Sequence, residues 1–204
     1  MSEETTTAPE VYKATAQDKR VVELNKDIQL PKDRYTIRVK DVEYGPSSKG
    51  NFMFTWTPEL VWPDTFVAGN GTIVSIAGKD LKKQYIALKI KNPETGQWDM
   101  EATQKAVDRY FDQLDKWGVD TTEMRESGID LNNPPKVIKG LVLDAICGSD
   151  EYVRRKDPTP EQKAQNKQGD IIKGADGKEI KSYTAVVYEI LGPGDSSVAA
   201  NKPF

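Results

Sequence analysis

The chain has 204 residues, 37% of them apolar and 30% charged, with a net charge of −3 and a pI near 5.2. That composition supports one packed domain, and the acidic balance confines any nucleic-acid site to a local patch. There is no histidine, which removes the commonest general base, the usual serine-hydrolase triad and most zinc sites.

Residues 1–29 are polar at first, and only Val21, Val22, Leu24 and Ile28 offer apolar anchors. A flexible arm or short strand is expected there. The first residues lack the charged and apolar regions of a signal peptide, and no apolar run is long enough to span a bilayer. A reducing cytoplasm, that of an infected host if the chain is phage-encoded, and no membrane partner are the expectation.

Residues 34–62 read as two strands around a turn rich in Gly, Pro and Ser. In the first strand Tyr35, Ile37 and Val39 alternate with Arg34, Thr36, Arg38 and Lys40, giving one apolar and one basic face. In the second, Phe52, Phe54 and Trp56 share a face, and Pro58 predicts an edge or a bulge because it cannot donate to the ladder. Residues 71–76 (GTIVSI) read as a third strand, and residues 81–90 as an extra one. Residues 99–117 carry apolar positions at spacings of three and four, the mark of an amphipathic helix, and residues 121–127 add a turn. Residues 137–147 and 181–191 are apolar strands. Cys147, the single cysteine, lies in the first of these and reads as a small core residue. The charged, Gly-bearing stretch 148–179 between them reads as a long exposed loop.

A helix between the third and fourth of five strands is the order of an OB-fold, a mainly β Greek-key barrel that binds oligonucleotides or oligosaccharides through its 1–2 and 4–5 loops. An antiparallel sandwich accommodates the same strands. The folded domain is expected over 30–191, with a flexible tail over 192–204.

Several groups could meet a single-stranded nucleic acid, which needs cations for phosphates and flat rings for bases. Arg34, Arg38 and Lys40 form a basic row, which is equally an ordinary solvated strand face with Asp33, Asp41 and Glu43 nearby. Lys49 lies in the turn that borders the binding face of an OB-fold. Phe52 beside that turn, and Tyr44 on its other side at the parity of Arg38 and Lys40, are the stacking candidates, while Phe54 and Trp56 are read as core. Lys82 and Lys83 belong to a basic stretch with Lys79, Lys89 and Lys91. Tyr152, Arg154 and Arg155, with Lys156, combine a ring with cations at the start of the long loop. No carboxylate spacing resembles a metal site, and the Gly-rich turns lack the context of a phosphate loop. No cofactor and no catalysis are expected.

The run Tyr35-x-Ile37-x-Val39-x-Asp41-Val42-Glu43 followed by Ser48-Lys49-Gly50-Asn51 resembles the opening of phage-encoded single-stranded DNA-binding proteins of the OB-fold type. Trp117-Gly118-Val119, Lys139-Gly140 and the closing strand after Asp176-Gly177-Lys178 are similar too. The resemblance spans roughly residues 30–191. It implies a protein that coats single-stranded DNA with little sequence preference during phage replication or recombination. It also implies recruitment of replication or recombination proteins through the Pro203-Phe204 tip, although only Asp195 supplies acid near that tip. The rival expectations are a virion structural or assembly protein, a carboxylate-metal enzyme and a carbohydrate-binding β module.

Overall fold

The structure, a computed structural model, describes residues 21–195; the expected arm over 1–20 and the Pro203-Phe204 tip lie outside them. The chain is mainly β. Its main sheet holds five strands: β2 (Asp33–Pro46), β3 (Phe52–Trp62), β6 (Gln84–Lys89), β7 (Val142–Val153) and β8 (Lys181–Pro193), in the order β6-β3-β2-β7-β8 and antiparallel throughout. The fourth of these strands returns to lie beside the first, which is the Greek-key arrangement expected from the sequence. A smaller sheet holds β1 (Val21–Glu23), β4 (Thr65–Val67) and β5 (Ile73–Ser75) in the order β1-β5-β4, with β1 parallel to β5.

The third strand of the main sheet is β6, the run the sequence offered only as an extra strand. The GTIVSI run, expected as the third strand, forms β5 of the small sheet instead. Its Val74 and Ile76 are buried, and the following segment pairs with the far half of β3. Gly78 N donates to Leu60 O, Leu60 N to Lys79 O and Leu81 N to Pro58 O, all within 2.9 Å. One strand thus serves β6 along its first half and residues 78–81 along its second, which periodicity alone does not reveal.

β2 changes phase partway along. Ile37 pairs with Leu60 and Val39 with Pro58, then Lys40 bulges out, and Val42 pairs with Trp56 and Tyr44 with Phe54. A one-residue bulge moves every later side chain to the other face. The bulge faces Pro58, the ladder defect that the proline predicts.

Helix α1 (Met100–Lys116) starts where Asp99 accepts a hydrogen bond from Ala102 N at 2.9 Å, and it ends at Gly118, whose φ of 79° few other residues tolerate. Its buried face, Val107, Tyr110, Phe111 and Leu114, packs under the sheet; Tyr110 lies 5.6 Å from Phe54, and Trp117 lies 5.7 Å from Trp56. Two short helices accompany it. The expected turn at 121–127 is α2 (Thr122–Ser127), and α3 (Pro160–Ala164), closed by a Thr159–Gln162 capping box, sits inside the long loop.

The long loop is shorter than expected, because β7 begins at Val142 and runs on to Val153. The apolar pair Val137 and Ile138 precedes the strand, with Ile138 buried beneath a turn. Beyond Gly148, β7 continues with polar residues as a two-stranded ribbon with β8, Ser149 opposite Ala185 and Val153 opposite Lys181. The loop proper, 154–180, is held by isolated bridges between Arg155 and Ile171 and between Lys173 and Glu179.

The outer strands β6 and β8 approach each other without forming a ladder. Lys82 N donates to Ala185 O at 2.8 Å. Below that point a cleft of about 360 Å³ separates the strands, floored by Trp56 and Trp117.

Candidate nucleic-acid interface

The basic row of β2 is neutralised by its neighbours. Arg38 stands directly opposite Glu59 and donates to its Oε2 from Nε at 3.1 Å and Nη2 at 2.6 Å. The Lys40 ammonium lies 2.9 Å from Asp80 and 3.4 Å from Glu59. Its pKa is raised, chiefly by the hydrogen bond to Asp80. Arg34 pairs with Asp144, which also accepts from the Thr36 hydroxyl at 2.9 Å. The sequence reading looked to Asp33, Asp41 and Glu43 for balancing charge. The partners at Arg34, Arg38 and Lys40 include carboxylates that β3, β7 and the 78–81 segment bring to the same face. A cation already facing a carboxylate has less to gain from a phosphate, so this row is structural first.

Tyr44 is corrected as well. The bulge at Lys40 removes it from the parity of Arg38 and places it on the apolar side, 5.1 Å from Phe54. Its hydroxyl donates to Leu131 O at 2.7 Å, and burial raises its pKa. It fastens the loop before β7 to the sheet, with its ring half-buried against Phe52 and Phe54.

The rings form a series from core to surface: Tyr110, Phe54, Tyr44, Phe52, Trp98, with successive centroids 5.6, 5.1, 5.7 and 5.9 Å apart. Phe52 is half-buried, and Trp98, at the outer end, is 37% exposed. The Lys89 ammonium sits 4.4 Å from the Trp98 ring centroid and the Lys91 ammonium 5.0 Å from it. Two connections set this up. The β2–β3 turn closes through Ser47 N to Asn51 O at 2.7 Å, with Gly50 at a φ of 77° and the Lys91 stem packed beside it. Asn51 Oδ1 accepts from Lys91 N at 2.8 Å, and Lys91 bridges to Trp98, so the turn holds the 91–98 connection in place.

Among the described residues Lys49, Lys89 and Lys91 form no ion pair; Lys89 reaches only the neutral Asn132 side chain, at 3.1 Å. Lys49 is exposed in the turn, as the sequence predicts. Here alone, among the described residues, an exposed indole meets cations that no carboxylate has claimed. The sequence reading listed Lys89 and Lys91 as a basic stretch but missed Trp98, which stands in a Gly-Gln-Trp-Asp segment that reads as punctuation before a helix. The clue was Lys91 and Trp98 flanking a short Asn-Pro-x-x-Gly turn, the grammar of a hairpin.

Lys82 and Lys83 are exposed and likewise form no ion pair among the described residues. They lie at the point where β6 meets β8, beside the exposed ring of Tyr85. At the ribbon, Tyr152 is exposed, but Arg154 is spent on structure, donating to the buried Ser182 hydroxyl and pairing with Asp27. Arg155 donates to Gly169 O at 3.2 Å and braces the loop. The sequence-predicted set therefore divides into Lys49, Phe52, Lys82, Lys83 and Tyr152, which stay accessible, and Arg34, Arg38, Lys40, Tyr44, Arg154 and Arg155, which carry internal bonds.

Among the described residues no three His, Cys, Asp or Glu side chains converge where they could hold a metal ion, and no helix is long and apolar enough to cross a membrane. No protein-family model matches the chain, and no curated protein matches its sequence.

Proposed function

We propose that this chain binds single-stranded DNA with little sequence preference, in the setting of phage DNA replication or recombination that the sequence resemblance implies. The observation that carries the reading is the lysine-aromatic cluster at the β2–β3 turn. Lys49, Lys89 and Lys91 have no carboxylate partner among the described residues; Lys89 and Lys91 stand over the exposed Trp98, which packs on the half-buried Phe52, and Lys49 is exposed in the adjoining turn. Ammonium groups beside an open ring suit phosphates and bases together. The cluster sits at the connection between the first two strands of the main sheet, the place where the OB-fold that the sequence suggests would take oligonucleotides. The protein as a whole is acidic, so the attraction is local and leaves duplex DNA, whose bases are stacked away, a poor ligand.

The test is a titration of fluorescently labelled single-stranded and duplex oligonucleotides at two salt concentrations. Tighter binding of the single strand is expected, with log K falling against log salt by about 0.7 for each phosphate neutralised. Equal affinity for duplex, or no binding at low salt, overturns the proposal.

A further inference from the structure

We infer that Trp98 is the base platform of this protein, and that Lys89 and Lys91 guard it in the free state and pass to the phosphates when a base arrives. The inference rests on the single-strand reading above and names the contact that reading needs.

Trp98 closes a series of touching rings that begins in the core at Tyr110, so its position is fixed from beneath by Phe52, 5.9 Å away. A platform held by packing loses little freedom when it is used. Its surface is not bare. Two ammonium groups lie at 4.4 and 5.0 Å from the ring centroid, drawn there by the negative face of the indole. Neither has an ion pair among the described residues, and Glu94, the carboxylate of the adjoining 92–97 turn, is bonded to neither. Both lysines therefore hold a weak contact that is easily exchanged. A nucleobase offers the indole a larger flat partner, and the phosphate beside it offers each ammonium a full negative charge. The two exchanges belong together, since both ammonium groups stand over Trp98, that of Lys89 also donating to the neutral Asn132 side chain and the Lys91 stem packing against the β2–β3 turn at Gly50.

Intrinsic fluorescence reads the event directly. Trp56 and Trp117 are buried, so Trp98 and Trp62, the latter 51% exposed, are the indoles a ligand can reach. Unlabelled oligothymidylate is titrated into the parent protein, Trp62→Phe, Trp98→Phe, Trp98→Ala and the double variant Lys89→Met/Lys91→Met, with affinity followed separately by anisotropy of a labelled oligonucleotide. Quenching is expected in the parent and in Trp62→Phe and is lost in Trp98→Phe, which keeps a ring and binds within about threefold of the parent. Trp98→Ala binds about 5- to 150-fold more weakly, the worth of one stacked base. The double lysine variant has a salt slope reduced by about 1.4, two phosphates' share. If the parent binds single strands but Trp98→Phe quenches like the parent and Trp98→Ala binds like it, the platform lies elsewhere and the inference falls while the proposed function stands. If the parent shows no salt-sensitive single-strand binding, both fall.

Discussion

Arg38 and Glu59 are exact cross-strand neighbours, and the guanidinium spends two hydrogen bonds, at 3.1 and 2.6 Å, on a single oxygen of a carboxylate that is itself almost buried. The pair is shielded from water on the β2–β3 face, and Lys40 reaches the other oxygen at 3.4 Å. Removing one member strands the other. Arg38→Ala is expected to cost about 3 kcal/mol, the low end for a broken buried pair because Lys40 remains. Arg38→Met combined with Glu59→Leu recovers most of that loss. Urea melts on the single and double variants give both values, and single-stranded DNA affinity in the folded double variant stays within a few fold of the parent. A large loss of binding there would return the basic row to the interface.

Tyr44 and Trp56 act in folding. Tyr44→Phe removes the hydrogen bond to Leu131 O and is expected to cost about 1 kcal/mol. Trp56→Ala opens a cavity against Trp117 and costs about 3–5 kcal/mol. Neither changes affinity for single strands under conditions where the protein stays folded. Anisotropy at low temperature beside thermal melts separates the two effects, and a binding defect in folded Tyr44→Phe would contradict a purely structural role for its hydroxyl.

The long loop tolerates surgery on one side of Arg155 only. α3 buries no residue, and excising residues 159–167 in favour of a two-residue turn is expected to change stability by less than about 1 kcal/mol, because loop length is entropically inexpensive. Arg154→Ala is different. It unpairs the fully buried Ser182 hydroxyl and frees Asp27, with an expected cost of about 1–3 kcal/mol. Thermal melts in which the excision proves the more damaging of the two would show that α3 is part of the core.

Alkali should unfold the protein through its buried acids. Burial pushes Tyr35 from 10.0 to about 12 and Cys147 from 9.0 to about 12. The unfolded chain therefore loses these protons at a pH where the folded chain still holds them. Stability is full below about pH 9 and declines as the pH climbs toward 12. Cys147→Ala removes the part of the decline that begins near pH 9, and Tyr35→Phe reduces the part that begins near 10, to which the buried Tyr110, also pushed up by burial, contributes as well. Urea melts between pH 8 and 11.5 that show no slope would contradict the burial of both groups.

Much of the main sheet was legible because alternation survives in a strand with one buried face. β2, β3 and β8 fall where Tyr35, Phe54 and Val186 place them, and the spacing of Val107, Tyr110 and Leu114 reveals α1. What failed has physical causes. The bulge at Lys40 carries no glycine to announce it, so Tyr44 was assigned to the wrong side. β7 runs on through Gly148-Ser149-Asp150 because its ribbon with β8 needs backbone bonds and no apolar face. The partners of Arg38 and Arg34 lie 21 and 110 residues away, at Glu59 and Asp144, and local charge patterns do not extend that far. Lys49 and Phe52 could be placed beside the turn because a turn marks itself in sequence, whereas Trp98 reaches Phe52 from the far side of the 92–97 turn, which Asn51 and Lys91 hold in place.

The unladdered approach of β6 to β8 makes the main sheet a garment with one button. Parting β2 from β7 breaks a run of paired residues from Asp33 to Arg38, but parting β6 from β8 releases one backbone bond, at Lys82. α1 lies along β6, and Trp117 at its end meets Trp56 at the floor of the cleft between the two strands. The lysine-aromatic cluster stands at the far end of β6 from the bond at Lys82, on Lys89, Lys91 and Trp98. Whatever grips the cluster thus pulls on the loosest edge of the sheet.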